Sequence, residues 1–343
     1  MRRSAVVVLA GLLVAAGALG VGFARARYDR PGPLAAARAI VVPHGTPAQV
    51  AGSLLDAGVI DDAVAFKLAV LATRSAGALH AAELAFPAHA SLRAVLAVLR
   101  TGRPVQHRLT IPEGLTAAQV ALLLDRAPAL AGDTPVPDEG ALLAETYAFE
   151  RGTTRATLVE RASAAMAQAV AQTWAQREAG LPLAGPQELL TLASIVERET
   201  ARPEERPMVA AVYLNRLRLG MRLQADPTVA YAVAGGTGVL ERKLTRADLD
   251  WPTPYNTYRV TGLPPGPIAI PGLASLLAVA HPAHTEDLFF VSDGRGGHVF
   301  ARTEEEHDRN VARWRAESHA ADLRDKAAVA VTLGGAYIPL VRR

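Results

Sequence analysis

Thr191-Leu-Ala-Ser-Ile-Val-Glu-Arg-Glu-Thr200 is the stretch on which the reading of this chain turns. It reads as the end of a mostly apolar helix that turns abruptly acidic. Gly185-Pro186 marks the helix start, since proline suits the first helical turn. Leu189, Leu190, Leu192, Ala193 and Val196 recur at helical spacing and form one apolar stripe. At about 100° per residue, Glu197 and Glu199 fall on opposite edges of that stripe, and Arg198 points nearly opposite it. Glu197 follows Leu190 and Ala193 at i+7 and i+4, so it continues a buried row. A carboxyl partly desolvated there has a raised pKa, as a general acid requires. A Glu-Arg-Glu run at a helix end equally suits solvated surface pairing. Pattern alone leaves both glutamates open.

Composition narrows the classes. The 343 residues suffice for two folded domains plus an anchor, and 50% hydrophobic with 20% charged residues describes a globular chain. The net charge is +3, carried by arginine except at Lys67, Lys243 and Lys326. No dense basic run with interleaved aromatics occurs, so no nucleic-acid partner is expected. With no cysteine, disulfides, thiolate metal sites, a cysteine nucleophile and a lipid-modified cysteine are all excluded.

The chain opens with a short head, residues 1–4. An uncharged apolar run of twenty residues follows, Ala5 to Ala24, long enough as a helix to cross about 30 Å of hydrocarbon. Its length favours a retained anchor over a cleaved signal. Arginines flank both ends, so charge does not set the orientation; the bulk outside is preferred because so short a head needs no transfer. After a spacer, 25–37, a weak repeat appears. Val42-Pro-His-Gly45 leads into Gln49-Val-Ala, and Ile111-Pro-Glu-Gly114 leads into Gln119-Val-Ala. Each copy is a strand, a Pro-x-Gly turn, a capping Thr and a helix. Between them lie helices near Ala63–Ala72 and Leu92–Leu99 and a strand near Leu84–Phe86, making an α+β module over 38–130. Residues 131–138 read as a linker.

Beyond it, helices are expected over about 156–179, from Pro186, over about 205–219 with Gly220 closing, and from Pro227 with Asp226 as its cap. Trp251-Pro-Thr-Pro-Tyr-Asn-Thr-Tyr258 and Gly262–Ile268 are too rich in Pro and Gly for regular structure, yet their aromatics argue against disorder. Trp251, Tyr255, Asn256 and Tyr258 offer flat apolar faces with hydrogen-bonding edges, as a sugar site requires; a structural loop packed by its own aromatics is the alternative. A helix at Leu273–Ala280, a hairpin with a glycine turn at 288–300 and a helix at 304–314 complete this region, and 317–343 form a tail without a readable role. His281-Pro-Ala-His284 lacks the spacing of a metal-binding helix, and neither Ser194 nor Ser292 sits in a nucleophile elbow. No metal or cofactor is expected.

Seven pieces in one order carry a resemblance: Ile-Pro-Glu-Gly-Leu-Thr (111–116), Leu-Ala-Ser-Ile-Val-Glu-Arg-Glu-Thr (192–200), Asn-Arg-Leu (215–217), Leu-Gln-Ala-Asp-Pro-Thr (223–228), Tyr-Asn-Thr-Tyr (255–258), Gly-Leu-Pro-Pro-Gly-Pro-Ile (262–268) and Phe-Val-Ser-Asp-Gly with Gly-Gly-His (290–298). Over 38–316 the chain resembles the endolytic murein transglycosylase family (MltG, YceG-like). Leu-Leu-Ala-Glu-Thr-Tyr (142–147) departs from the Phe-Pro-Asp-Thr-Tyr of many members. The resemblance implies an α+β fold class: an N-terminal transmembrane helix, a LysM-like module at 38–130 and a mixed α+β catalytic domain at 139–316, in the periplasm on the inner membrane. It implies cleavage of MurNAc-β-1,4-GlcNAc bonds in nascent peptidoglycan strands to 1,6-anhydro ends, with a link to peptidoglycan synthases. It assigns the catalytic acid to Glu197. Gln224, Asp226, Tyr255, Asn256, Thr257 and Tyr258 are expected to line the sugar site, with helix capping an equal role for Asp226. The competing reading is a catalytically silent peptidoglycan-binding or division scaffold.

Overall fold

The computed structural model describes the backbone of residues 2–317 and the side chains of residues 11–317. The head at 1–4, the start of the apolar run, and the tail beyond 317 therefore lie wholly or partly outside the described residues. The fold is mixed α+β, with small two-stranded sheets among many helices. The chain divides into two compact units: residues 1–108 with 129–131 and 148–153, and residues 109–128, 132–147 and 154–343.

The first unit opens with α1 (Arg2–Asp29). Among the described residues, no helix is long and apolar enough to cross a membrane. β1 (Arg38–Val41), α2 (Pro47–Asp56), α3 (Ala63–Ala72), β2 (Glu83–Phe86) and α4 (Leu92–Thr101) follow. β1 and β2 pair antiparallel with Ile40 opposite Leu84. Period-2 alternation sends Ile40, Leu84 and Phe86 inward, where they meet Val50 and Leu54 of α2, Phe66 of α3 and Val95 and Leu99 of α4. Thr46 and Gln49 cap α2 reciprocally, and Asp62 Oδ1 accepts from Val64 N and Ala65 N at the start of α3.

β3 (Gln106–Thr110) pairs with β4 (Thr146–Glu150), and the two units part within these strands. The second strand-turn-helix copy joins the second unit, where Val120 and Leu124 of α5 (Ala117–Asp125) are buried. The repeat is nonetheless real at its caps: Thr116 and Gln119 form the same reciprocal box as Thr46 and Gln49.

The second unit is built around α7 (Pro186–Glu199). Every residue from Leu189 to Val196 is buried, and the helix packs against α6 (Arg155–Gln176), α8 (Arg206–Arg218), α9 (Asp226–Val233) and α11 (Leu273–Ala280). An amphipathic stripe accounts for one side only; Ser194 makes burial of the other possible. Its hydroxyl donates to Thr191 O at 2.7 Å and accepts from Ile268 N at 3.0 Å, so no polar atom is stranded. α9 begins at Asp226 itself, with Ala225 as N-cap and no side-chain cap, so Asp226 does not cap the helix as expected. A short α10 (Arg246–Asp250), an antiparallel hairpin of β5 (Phe289–Ser292) and β6 (His298–Ala301), and a helix from 304 to 317 complete it.

Candidate functional site

The two glutamates at the end of α7 face different surroundings. Glu197 is fully engaged. Its Oε1 accepts from Arg206 Nη2 at 2.9 Å, and its Oε2 accepts from Gly272 N at 3.0 Å and Ser275 Oγ at 2.7 Å. Gly272 is the N-cap of α11 and carries no side chain to satisfy that helix's first amides. The Glu197 carboxylate supplies the acceptor and the negative charge that this helix start favours. It is 6% exposed, against 9% for Arg206. These three donors fix the Glu197 carboxylate in one orientation.

Glu199 is the opposite case. The residue is half-buried, but its Oε2 is shielded from solvent and has no hydrogen-bond partner. Its pKa is raised to about 7, chiefly by burial. The Tyr213 hydroxyl pulls it down, although it stops short of full hydrogen-bond geometry; the Asp226 charge pushes it up, and Arg216 pulls it down. Tyr213 is fully buried on α8, and burial beside Glu199 drives its own pKa well above the ordinary phenol value.

Around Glu199 the turn 223–226 is held in one conformation. Gln224 adopts φ +52°, a left-handed geometry uncommon for a side-chain-bearing residue and typical of functional sites. Its N donates to Thr257 O at 3.1 Å, and its Oε1 accepts from Arg216 Nη1 at 3.3 Å. Arg216 is itself anchored to Leu288 O and Leu223 O, at 2.6 and 2.8 Å. Asp226 is exposed, and its Oδ1 accepts from Tyr258 OH at 2.6 Å. Burial and that carboxylate raise the Tyr258 pKa, so the phenol stays a donor.

Asn256 and Thr257 serve the scaffold and not a ligand. Asn256 is fully buried, its Nδ2 shared among Asp248 O, Leu249 O and Trp251 O at 3.4, 3.0 and 2.7 Å, and its Oδ1 accepts from Tyr258 N at 3.0 Å. No edge remains to hold a sugar amide. Thr257, also buried, accepts from Ala225 N and bridges to Thr228, each at 2.9 Å, so it fixes the turn that carries Gln224 and Asp226. Asn256→Ala strands the loop carbonyls and is expected to cost about 2–3 kcal/mol in urea unfolding. A variant of wild-type stability would contradict this role.

Tyr255 belongs to a second cluster. It packs against Tyr231 with ring centroids 5.1 Å apart, and Tyr231 OH donates to Glu139 Oε2 at 3.2 Å. Burial raises the Glu139 pKa, although Ala117 N donates to Oε1 at 2.9 Å. A pocket of about 340 Å³ opens beside it, lined by Arg198, Pro227, Tyr231, Leu240, Arg242 and Ile268. Arg198 and Pro227 adjoin Glu199 and Asp226 in the chain.

Sequence reading missed Tyr213, Arg216, Glu139 and Tyr231. Arg216 stood inside the quoted Asn-Arg-Leu piece, but its burial near Glu199 and Gln224 comes from tertiary packing that no local pattern shows. Among the described residues no three His, Asp or Glu side chains are grouped to hold a metal.

Comparisons with known proteins agree with the family resemblance. An endolytic murein transglycosylase of Bacillus subtilis (strain 168) is 36% identical over 173 residues, 50% of this chain and 47% of that protein. One from Streptococcus pneumoniae serotype 2 (strain D39 / NCTC 7466) is 31% identical over 249 residues, 61% of this chain and 45% of that protein. The chain spans about half the length of these curated relatives. The crystal structure of a yceG-like protein from Listeria monocytogenes superposes with a TM-score of 0.50 at 28% identity, covering 80% of this chain and 98% of that one. The family model described as YceG-like family matches residues 40–313, and the chain belongs to that family.

Proposed function

We propose that the chain is a lytic transglycosylase acting on peptidoglycan glycan strands, with Glu199 as its single acid–base group. The supporting observation is the Glu199 carboxyl, whose shielded Oε2 has no hydrogen-bond partner and whose pKa is raised to about 7, chiefly by burial and further by the Asp226 charge. Glu199 takes the place of Glu197, whose carboxylate is committed to Arg206 and α11.

Protonated Glu199 gives its proton to the MurNAc-β-1,4-GlcNAc oxygen as the C1–O bond breaks and the electron pair leaves with the GlcNAc O4. The muramyl C6 hydroxyl then closes onto C1, and its proton returns to the Glu199 carboxylate. The nucleophile belongs to the substrate, so the second carboxylate that hydrolases need to attack or to activate water is not required. Burial, reinforced by the Asp226 charge, keeps the acid protonated before the reaction, and Asp226 faces the positive charge that develops at C1. With its oxygen on Arg216, Gln224 has its amide nitrogen left to donate to a sugar acetamide.

The finer architecture belongs to the same reading. The order β1–α2–α3–β2 with antiparallel β1 and β2 supports a LysM-like first unit. An inner-membrane anchor over 5–24, with the bulk of the chain in the periplasm, is supported by exposed Leu12, Leu13, Val14, Leu19, Val21 and Phe23 on α1. Peptidoglycan synthases, which supply uncrosslinked strands, are the partners this activity calls for.

The test is mass spectrometry of uncrosslinked strands digested by the detergent-solubilised full chain. Internal cuts ending in 1,6-anhydro-MurNAc are expected. Water-derived reducing ends would instead identify a hydrolase, and intact strands a silent scaffold.

A further inference from the structure

We propose that the outer face of α3 is a lipid-facing surface, seated at the headgroup level of the membrane. Val64, Leu68 and Leu71 follow one another at i, i+4 and i+7 and are 60%, 61% and 62% exposed. α3 buries only Phe66. Its one charged residue, Lys67, lies at the edge of this stripe, where its ammonium reaches past the apolar stem to phosphate.

Other observations on the first unit identify lipid as the occupant. A groove of about 650 Å³ runs between α3 and the last turns of α1, lined by Val21, Phe23, Tyr28, Val64, Leu68 and Ala72. The end of α1 is tied to α3 and its neighbours by ion pairs. Arg27 meets Asp62, the N-cap of α3, at 2.7 Å; Arg30 meets Asp61; and Arg93 of α4 meets Asp29 at 2.5 Å while lying over the Tyr28 ring. α3 is therefore held at the level of residues 21–28 of α1. There the apolar run gives way to Arg25, Arg27 and Arg30, the step at which a membrane helix meets headgroups. Leu12, Leu13, Val14 and Val21 emerge on different sides of α1, a pattern that lipid covers and a one-sided protein partner does not. A short helix with an apolar stripe and a basic edge then adds interfacial area beside the anchor. This inference rests on the membrane reading above.

The absence of cysteine makes the full chain a ready background for single-cysteine nitroxide labels. Reconstituted into phosphatidylethanolamine–phosphatidylglycerol vesicles, a label at Leu68→Cys is expected to collide with oxygen relative to a nickel chelate about threefold more than one at Val136→Cys. Phe23→Cys reports the anchor. A water-like ratio at Leu68 with a lipid-like one at Phe23 would overturn the proposal and leave the membrane reading standing. Water-like ratios at both would overturn both. A label at Leu68 shielded from both reagents would mean that protein covers α3, which also overturns the proposal.

Discussion

Under the proposed function, Glu199→Gln is expected to lose about three orders of magnitude of 1,6-anhydro-end formation while remaining folded, and to unfold less readily than the parent chain at pH 8. In that proposal the loss follows from removing the one group assigned both to give and to take the proton, an effect of about 10²–10⁴-fold for general acid–base catalysis. The stability gain follows from linkage. Glu199 is raised in the fold to about 7 from an ordinary 4.5, so the folded chain holds its proton more tightly than the unfolded chain does. The stability tied to that proton is fully present below 4.5 and is lost as the pH rises through 7. Glutamine never ionises and escapes the loss. Urea unfolding at pH 8 is expected to favour the variant by on the order of 1–3 kcal/mol, and the difference should vanish at pH 4. A Glu199→Gln variant with full activity, or one destabilised at both pH values, would count against the acid assigned here.

Glu197→Ala has the reverse signature. It leaves the buried Arg206 guanidinium without its closest anion and strips the α11 start of the acceptor for Gly272 N and Ser275 Oγ. A stranded buried charge typically costs about 3–5 kcal/mol, and the loss here is expected toward the lower end, because Glu113 Oε2 remains 3.4 Å from Arg206 Nη2. The urea midpoint is expected to fall accordingly. Activity per folded molecule should stay within about tenfold of the parent, since α11 is displaced only indirectly from the acid. A stable Glu197→Ala variant without activity would restore Glu197 as the acid.

Much of the scaffold was legible because local signals agree with the final packing. α3 and α11 span the residues expected of them, and Pro186 opens α7 as proline at a first turn should. The capping threonine of each strand-turn-helix copy marked a helix start that the structure confirms at Thr46 and Thr116. β4 escaped notice although Tyr147 and Phe149 alternate inward, because five residues give too short a pattern to separate from the loop before them.

The site was legible only as far as a helical wheel reaches. Periodicity set Glu197 and Glu199 on two edges of one stripe but says nothing about what each edge meets. That depends on α8 and α11, far along the chain: Arg206 and Gly272 on one side, Tyr213 with Arg216 on the other. The same limit explains Asn256 and Thr257. Tyr-Asn-Thr-Tyr has the composition of a sugar platform, yet tertiary contacts turn its middle residues inward and leave Tyr258 to hold Asp226. For Asp226 the local rule failed in the other direction: it reads as a cap, but Ala225 occupies the cap position and the carboxylate is exposed.

The most direct test is the titration of Glu199 itself. In full-length protein carrying ¹³Cδ-labelled glutamate, its carbon resonance is the one missing from Glu199→Gln. A midpoint near 7 is predicted; a midpoint below about 5, in the ordinary carboxylate range, would contradict the account.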